Sequence, residues 1–275
     1  MSDLTPFLSF AQGLAAEAGG LITGYFRRTS ARRKSDGTLV TDADERANDL
    51  IVNAIQTAWP GHAILSEEGD TTYDPTVEYT WVIDPLDGTT NFARGFPIWG
   101  VSIALLQTGA PVVAVVDFPL LREVYRATAG GGAFCNDEAL ETDQAAGIDN
   151  QHIFTQCTRT RRRLRIQSPL KARMLGSAAY HLLAMARGSS LVAVESTPKV
   201  WDLAGAVLVA QEAGGVVEGL DGSALFPLPA QAMDYAAISR PTLAAANRQV
   251  WDEFRVSVSP ETKTKIMPAM PAWAE

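Results

Sequence analysis

A mixed α+β fold built in layers is what this chain of 275 residues predicts, on three observations. Two stretches with helical period come before any strong strand. Short apolar runs ending abruptly in acids then follow one another. Helical texture returns late, without the strict strand–helix–strand repeat of a doubly wound sheet. Hydrophobic residues at 47% and charged residues at 20% are the proportions of a folded globular chain, and no internal repeat is visible.

The elements are predicted in order as follows. Residues 4–28 place Leu4, Phe7, Leu8, Ala11, Leu14 and Ala15 three and four apart, an amphipathic helix ending in Arg27 and Arg28. A polar stretch leads through Leu39-Val40-Thr41 to a second helix over residues 42–59, stopped by Pro60-Gly61. Ala63-Ile64-Leu65 and Thr80-Trp81-Val82-Ile83 read as strands meeting acids at their C-terminal ends. Residues 99–106, 112–118 and 123–127 continue as an antiparallel meander, with Gly130-Gly131-Gly132 as a turn. Helices are expected at 178–187, at 202–213 before Gly214-Gly215, and from Pro241 to about Val256. The last residues, 260–275, contain three prolines and read as a loose tail.

Composition excludes several functions. Lys+Arg 23 against Asp+Glu 31 gives a net charge of −8, which argues against a general nucleic-acid binder. Two cysteines, Cys135 and Cys157, make no disulfide framework and no C-x-x-C pair, so a reducing compartment is expected. No basic segment leads into an apolar stretch at the N-terminus, and no run long enough to span a membrane occurs, so the expectation is a cytoplasmic protein with no membrane partner. With three histidines and no G-x-S-x-G elbow, any catalysis must be carried by carboxylates.

Acids stand at four suitable places: Asp42-Ala43-Asp44, Ser66-Glu67-Glu68-Gly69, Asp84-Pro85-Leu86-Asp87-Gly88-Thr89-Thr90-Asn91, and Trp201-Asp202. Hard divalent cations such as Mg²⁺ take oxygen ligands, so a few carboxylates from separate segments suffice to hold one. Pro85 fixes the backbone between two aspartates, letting both carboxylates and the Leu86 carbonyl converge. Gly88 removes a side chain where a phosphate would approach, and Thr89 and Thr90 offer amides and hydroxyls at an expected helix start.

These strings, with Leu39-Val40-Thr41-Asp42-Ala43-Asp44, Leu175-Gly176-Ser177-Ala178-Ala179 and Glu212-Ala213-Gly214-Gly215, resemble the inositol monophosphatase family of magnesium-dependent, lithium-sensitive phosphatases over most of residues 4–256. The resemblance implies an α/β/α/β/α sandwich of the sugar-phosphatase type. Residues 1–140 would form a half carrying the main metal motifs, and residues 141–259 a half completing the substrate site. It implies a homodimer acting on a small phosphomonoester, with Mg²⁺, two or three per site. Glu67, Asp84 and the Leu86 carbonyl would bind one ion, and Asp84, Asp87 and Asp202 another. Asp44, Glu67 and Thr89 would orient and deprotonate the attacking water, and no covalent phosphoenzyme would form. Asp87, Gly88, Thr89, Thr90, Gly176, Ser177, Ala178, Glu195 and Asp202 would contact the substrate, Glu195 as acceptor for a polyol hydroxyl. Inositol monophosphate is the favoured substrate. Histidinol phosphate, sugar bisphosphates and nucleotide 3′-phosphates stay open, as does a catalytically inactive regulatory relative.

Other phosphatase chemistries fit less well. Asp84 and Asp87 are three apart, where an aspartate-nucleophile phosphatase needs two. Cys157 to Arg163 satisfies a bare C-x5-R count, but the loop lacks the glycines that cradle a phosphate. Five arginines between Arg159 and Arg165 lack interleaved aromatics and read as a solvated loop or a subunit contact. His181 sits on an apolar helix and reads as a packing or hydrogen-bonded histidine rather than a ligand. Lys34 lies near a family lysine with a spacing one residue shorter, and Lys199 adds a charge between Glu195 and Asp202.

Overall fold

The computed structural model describes residues 3–28, 30–34 and 39–261. Helix α1 (Thr5–Tyr25) begins with Pro6 in its first turn and buries Ala11, Leu14, Ala15, Ala18 and Ile22. It stops three residues short of the expected end, because Arg27 adopts a left-handed conformation with φ 61°. Strands β1 (Ala31–Arg33) and β2 (Leu39–Thr41) pair antiparallel and lead into α2 (Asp42–Ala58). A capping box starts α2: Thr41 accepts from the Ala43 amide, while Asp44 accepts from the Thr41 amide at 2.8 Å and its hydroxyl at 2.5 Å.

Seven strands form the first sheet. Strand β3 (Ala63–Ser66) precedes a short β4 (Thr72–Tyr73) and the long β5 (Tyr79–Asp87), with β3 parallel to β5. After α3 (Thr89–Arg94) come β6 (Gly100–Gln107), β7 (Ala110–Phe118), β8 (Glu123–Thr128), β9 (Ala133–Cys135) and β10 (Glu138–Ala139). From β5 to β10 every pairing is antiparallel, as the meander predicted.

The second sheet holds β11 (Ile153–Gln156), β13 (Lys171–Arg173), β14 (Val192–Glu195), β15 (Val216–Gly219) and β17 (Thr242–Ala245), in the order β13-β11-β14-β17-β15. Between β11 and β13 lie α4 (Thr158–Arg163) and β12 (Leu164–Ile166). Helices α5 (Ala178–Ala186) and α6 (Val200–Glu212) flank β14. The chain closes through β16 (Met233–Asp234), which pairs with β4, then α7 (Arg248–Arg255) and β18 (Val258–Pro260), which pairs with β12. Pro260 therefore belongs to a strand; the rest of the expected tail, from residue 262, lies outside the described residues.

Packing produces the five layers. Helices α1 and α2 cover one face of the first sheet through Trp81, Ile83, Val101, Ile103, Val113 and Val115. On the other face, Ala114, Val116 and Tyr125 meet α5 and α6, which also cover Ala193, Val217 and Ala244 of the second sheet. Helix α7 closes the outside with Val250, Trp251 and Phe254. At Gly205 of α6 an added Cβ would lie 2.9 Å from the Ser102 hydroxyl, so helix and sheet approach too closely for any side chain there. No helix among the described residues is long and apolar enough to cross a membrane.

One expectation is corrected. The helix expected from Pro241 is a strand over Thr242–Ala245, followed by a helix only from Arg248, capped by Asn247. All four strand residues are buried between antiparallel neighbours β14 and β15. A strand covered on both faces loses the alternation by which strands are recognised.

Candidate active site

The carboxylates gather where the first sheet meets α6. Strands β3 and β5 run parallel, so the residues following β3 come beside the end of β5, and the Glu67 amide donates to the Ile83 carbonyl at 3.2 Å. Between Asp84 and Asp87 the register of β5 against β6 shifts, and the Leu86 amide turns back onto Asp84 at 3.0 Å. Asp202 arrives in the first turn of α6, where the Lys199 amide donates to it at 2.7 Å. Glu67, Asp84 and Asp202 each place one oxygen within 4.8 Å of the others.

Such crowding sets the electrostatics. Burial, then the charges of Glu67, Asp87 and Asp202, push Asp84 well above the usual carboxylate range; burial with Asp87 and Glu67 does the same to Asp202. Burial raises Glu67 to about 7 although Lys34 opposes it. The Lys34 ammonium lies 3.2 Å from Glu67 and is also hydrogen-bonded to Glu68. Burial would lower its pKa, but the two carboxylates more than offset that. Three hard oxygen donors with mutually repelling charge fit a divalent cation such as Mg²⁺.

Asp87 is held differently. The Ser177 hydroxyl and the amides of Ala178 and Ala179, all at the start of α5, donate to its carboxylate. Burial still raises it to about 6 against those bonds. Asp87 lines the same cavity, but it is not one of the three acids whose oxygens converge. Ser177 and Ala178 therefore spend their donors on Asp87, joining the end of β5 to the start of α5 at the site.

Gly88 is left-handed at φ 89°, with the Ile98 carbonyl 3.0 Å from where a Cβ would stand, so a side chain there would be both strained and crowded. It opens α3, whose Thr89 hydroxyl lies 3.2 Å from Asp44 and 3.0 Å from the Leu86 carbonyl. Asp44 is buried and raised to about 6, burial outweighing its bonds from Thr41. The residue that caps α2 is thus also the partner of Thr89.

A cavity of about 960 Å³ contains Glu67, Asp84, Leu86, Asp87, Gly88, Thr89, Thr90, Gly176 and Asp202 in its wall. Glu195 is not in that wall. It is 2% exposed, and its carboxylate lies 2.5 Å from His181 Nδ1, while His181 Nε2 accepts from the Leu175 amide at 2.9 Å. That pair of bonds fixes the proton on Nδ1 and makes His181 a clamp for the Leu175–Gly176 backbone. Cys157 caps α4 by accepting from the Thr160 amide, and burial with the nearby Glu195 pushes its thiol up, so no reactive thiolate is prepared.

The sequence reading missed that Arg94, Arg159 and Arg163 share the cavity with the acids. Arg159 and Arg163, read as a solvated or subunit-contact run, line the cavity from α4 together with Arg94 of α3. Their spacing of four along the chain was the available signal, since it puts both on one helix face.

Comparison with known proteins agrees with this geometry. A family model described as the inositol monophosphatase family matches residues 3–261. A histidinol-phosphatase of Chlorobaculum parvum is 36% identical over 223 residues, covering 77% of this chain and 85% of the relative. A Nus factor SuhB of Pasteurella multocida is 34% identical over 232 residues, covering 80% and 87%. The solved Thermotoga maritima IMPase TM1415 superposes with a TM-score of 0.78 at 26% identity, covering 92% of this chain and 96% of that one.

Proposed function

Because the chain belongs to the inositol monophosphatase family and is a metal-dependent phosphoric monoester hydrolase, we propose that its cation is Mg²⁺, two or three per site, and its substrate inositol monophosphate or a similar polyol phosphate. The convergence of Glu67, Asp84 and Asp202 from three separate elements carries the reading. These residues would hold one ion, with the Leu86 carbonyl adjoining it. Asp84, Asp87 and Asp202 would serve a further one. When bound, the cation supplies the positive charge that lets a phosphate approach three carboxylates and that acidifies water for attack on phosphorus.

The chain's own residues do the rest. The Thr89 hydroxyl gives its hydrogen to Asp44 or to Leu86, which leaves its oxygen free to accept from a water. Asp44, raised to about 6, is ionised at neutral pH yet basic enough to take a proton through Thr89, with Glu67 nearby as the second base. Gly88, Thr89 and Thr90 form the wall against the phosphate, and Gly176, fixed by the Glu195–His181–Leu175 clamp, forms the wall against the polyol. In this arrangement Glu195 acts through His181 as a positioning residue.

Lithium inhibition, a homodimeric state and a cytoplasmic location belong to the same reading; two free cysteines, Cys135 and Cys157, suit a reducing compartment. A second substrate, histidinol phosphate, is favoured by the Chlorobaculum relative's name. Phosphate release from inositol 1-phosphate, histidinol phosphate, a sugar bisphosphate and a nucleotide 3′-phosphate, with Mg²⁺ and with chelator, tests the proposal. Metal-dependent turnover led by inositol 1-phosphate supports it. Full turnover in chelator, or a clear preference for another ester, overturns the metal or the substrate part respectively.

A further inference from the structure

Asn91 of α3 takes no part in the chemistry assigned to Thr89 and the acids, yet its side chain is fully committed. Its Nδ2 donates to the Ile98 carbonyl at 2.8 Å and to the Leu175 carbonyl at 2.7 Å. Both hydrogens of one amide are thus used, each on a main-chain oxygen, and because a carbonyl only accepts, the carboxamide can face one way alone. The backbone is held too. The Asn91 carbonyl accepts from the Phe96 amide at 2.9 Å, in the turn that closes α3.

The two carbonyls back two different parts of the cavity wall. Ile98 O is the atom that stands 3.0 Å from where a Cβ of Gly88 would lie, so its peptide supports the wall against the phosphate. Leu175 O belongs to the peptide that leads into Gly176, and Leu175 is 84 residues from Asn91 along the chain. The amide side of Leu175 is already gripped by His181 of α5, so Asn91 completes the hold from α3. Gly176 is left-handed at φ 85°, and a Cβ there would lie 2.5 Å from Asn91 Oδ1. The strap and the carboxamide therefore touch, with no room for a side chain between them.

We infer that Asn91 is a positioning residue that sets the span between the Gly88 wall and the Gly176 wall, and with it how a polyol phosphate reaches from one to the other. The inference rests on the reading of this cavity as a polyol phosphatase site. A single carboxamide fixes the separation of two segments that are remote in the chain, and α3 orders it in advance. Other side chains lose this. Alanine gives neither carbonyl a donor, and serine, with one short hydroxyl, supplies one of them at most.

Two esters test the span in Mg²⁺: inositol 1-phosphate, whose ring hydroxyls meet the Gly176 wall, and 4-nitrophenyl phosphate, whose flat ring offers that wall no hydroxyl. In Asn91→Ala, kcat/KM for inositol 1-phosphate should fall by about tenfold, carried by KM, while that for 4-nitrophenyl phosphate stays within about twofold of the parent. Asn91→Ser should lie between, and it carries the test alone if Asn91→Ala does not fold. An equal fall on both esters marks general damage and overturns the inference, as do parent-like values on both. Hydrogen exchange at the Leu175 amide, without metal or substrate, gives an independent answer. It should be at least about tenfold faster in the variant, with the amides of β6 unchanged, and parent-like exchange overturns the hold on Leu175. If the parent does not hydrolyse inositol 1-phosphate, the substrate reading fails; if it hydrolyses neither ester, the phosphatase reading fails. In both cases the exchange rate alone decides whether Asn91 fixes the span.

Discussion

A cluster of three acids and a single buried acid, Glu195, meet opposite fates. Glu67, Asp84 and Asp202 crowd together, and burial drives all three above their ordinary range, helped at Asp84 and Asp202 by the neighbouring acids and opposed at Glu67 by Lys34. Glu195 is as deeply buried as Asp84, yet its oxygen rests on His181, which in turn grips the Leu175 amide. In the first group Lys34 pairs with Glu67 alone, and among the described residues Asp84 and Asp202 form no ion pair, so their demand for positive charge is unmet; Glu195 has its partner built in. Burial of an acid therefore does not mark a ligand. What marks it is whether the fold has already supplied the counterpart.

Substituting Asp84 breaks the comparison hardest. Asp84→Asn keeps the shape and removes the central charge of the group, so phosphate release in Mg²⁺ should fall by at least about 10³-fold. The fold should be untouched, because a neutral amide relieves repulsion among Glu67, Asp87 and Asp202. Melting in chelator should accordingly occur no lower than in the parent. Parent-like rates in Asp84→Asn would remove this acid from the chemistry.

The opposite pattern is expected at the paired acid. His181→Ala leaves the Glu195 carboxyl buried without its donor, at a cost of about 3–5 kcal/mol. At about 2–4 °C per kcal/mol, the calorimetric melting temperature should drop by about 10 °C. Replacing both residues by leucine should recover much of the loss, since no polar group is then stranded. If His181→Ala melts like the parent, Glu195 has another partner and the contrast collapses.

How far these differences were legible in the sequence depends on whether the deciding neighbour was close in the chain. Asp84, Pro85, Asp87 and Gly88 declared themselves because acids, a proline and a glycine closing an apolar strand have few purely structural uses. Asp44 and Thr41 were readable as a helix start, though nothing local showed that Thr89 would reach the same carboxylate. Glu195 stood at a suggestive distance before Asp202, but its orientation is set by a histidine on another helix. Thr242–Ala245 was misread because burial on both faces erases the strand period. The arginine run is exposed as read, but a charge pattern along one segment could not show that Arg159 and Arg163 also line the cavity.

Thr89 offers a finer test within the first group. Thr89→Val is nearly isosteric and removes only the hydroxyl shared by Asp44 and Leu86. If that hydroxyl passes a proton to Asp44, kcat should fall by about 10²-fold with KM little changed, because general-base assistance acts in the transition state. A rise in KM with kcat intact would recast Thr89 as a binding group. Its limited effect compared with Asp84→Asn would separate proton handling from charge compensation.

Asp117 supplies the most general check, being a buried acid with neither a cation site nor a partner of the His181 kind. It packs against Gly19 of α1, and burial alone raises its carboxyl from 3.8 to about 6. Between those values the folded protein holds a proton that the unfolded chain has released, so stability is fully present below about pH 4 and is lost as pH rises through 6. Asp117→Asn abolishes that loss. Its melting temperature should exceed the parent's by about 6–12 °C at pH 8 and match it at pH 4, the rise of about two pKa units being worth about 3 kcal/mol. An equal shift at both pH values would mean that packing, rather than ionisation, separates the two proteins. An unpartnered buried carboxylate would then carry no cost of its own at this position.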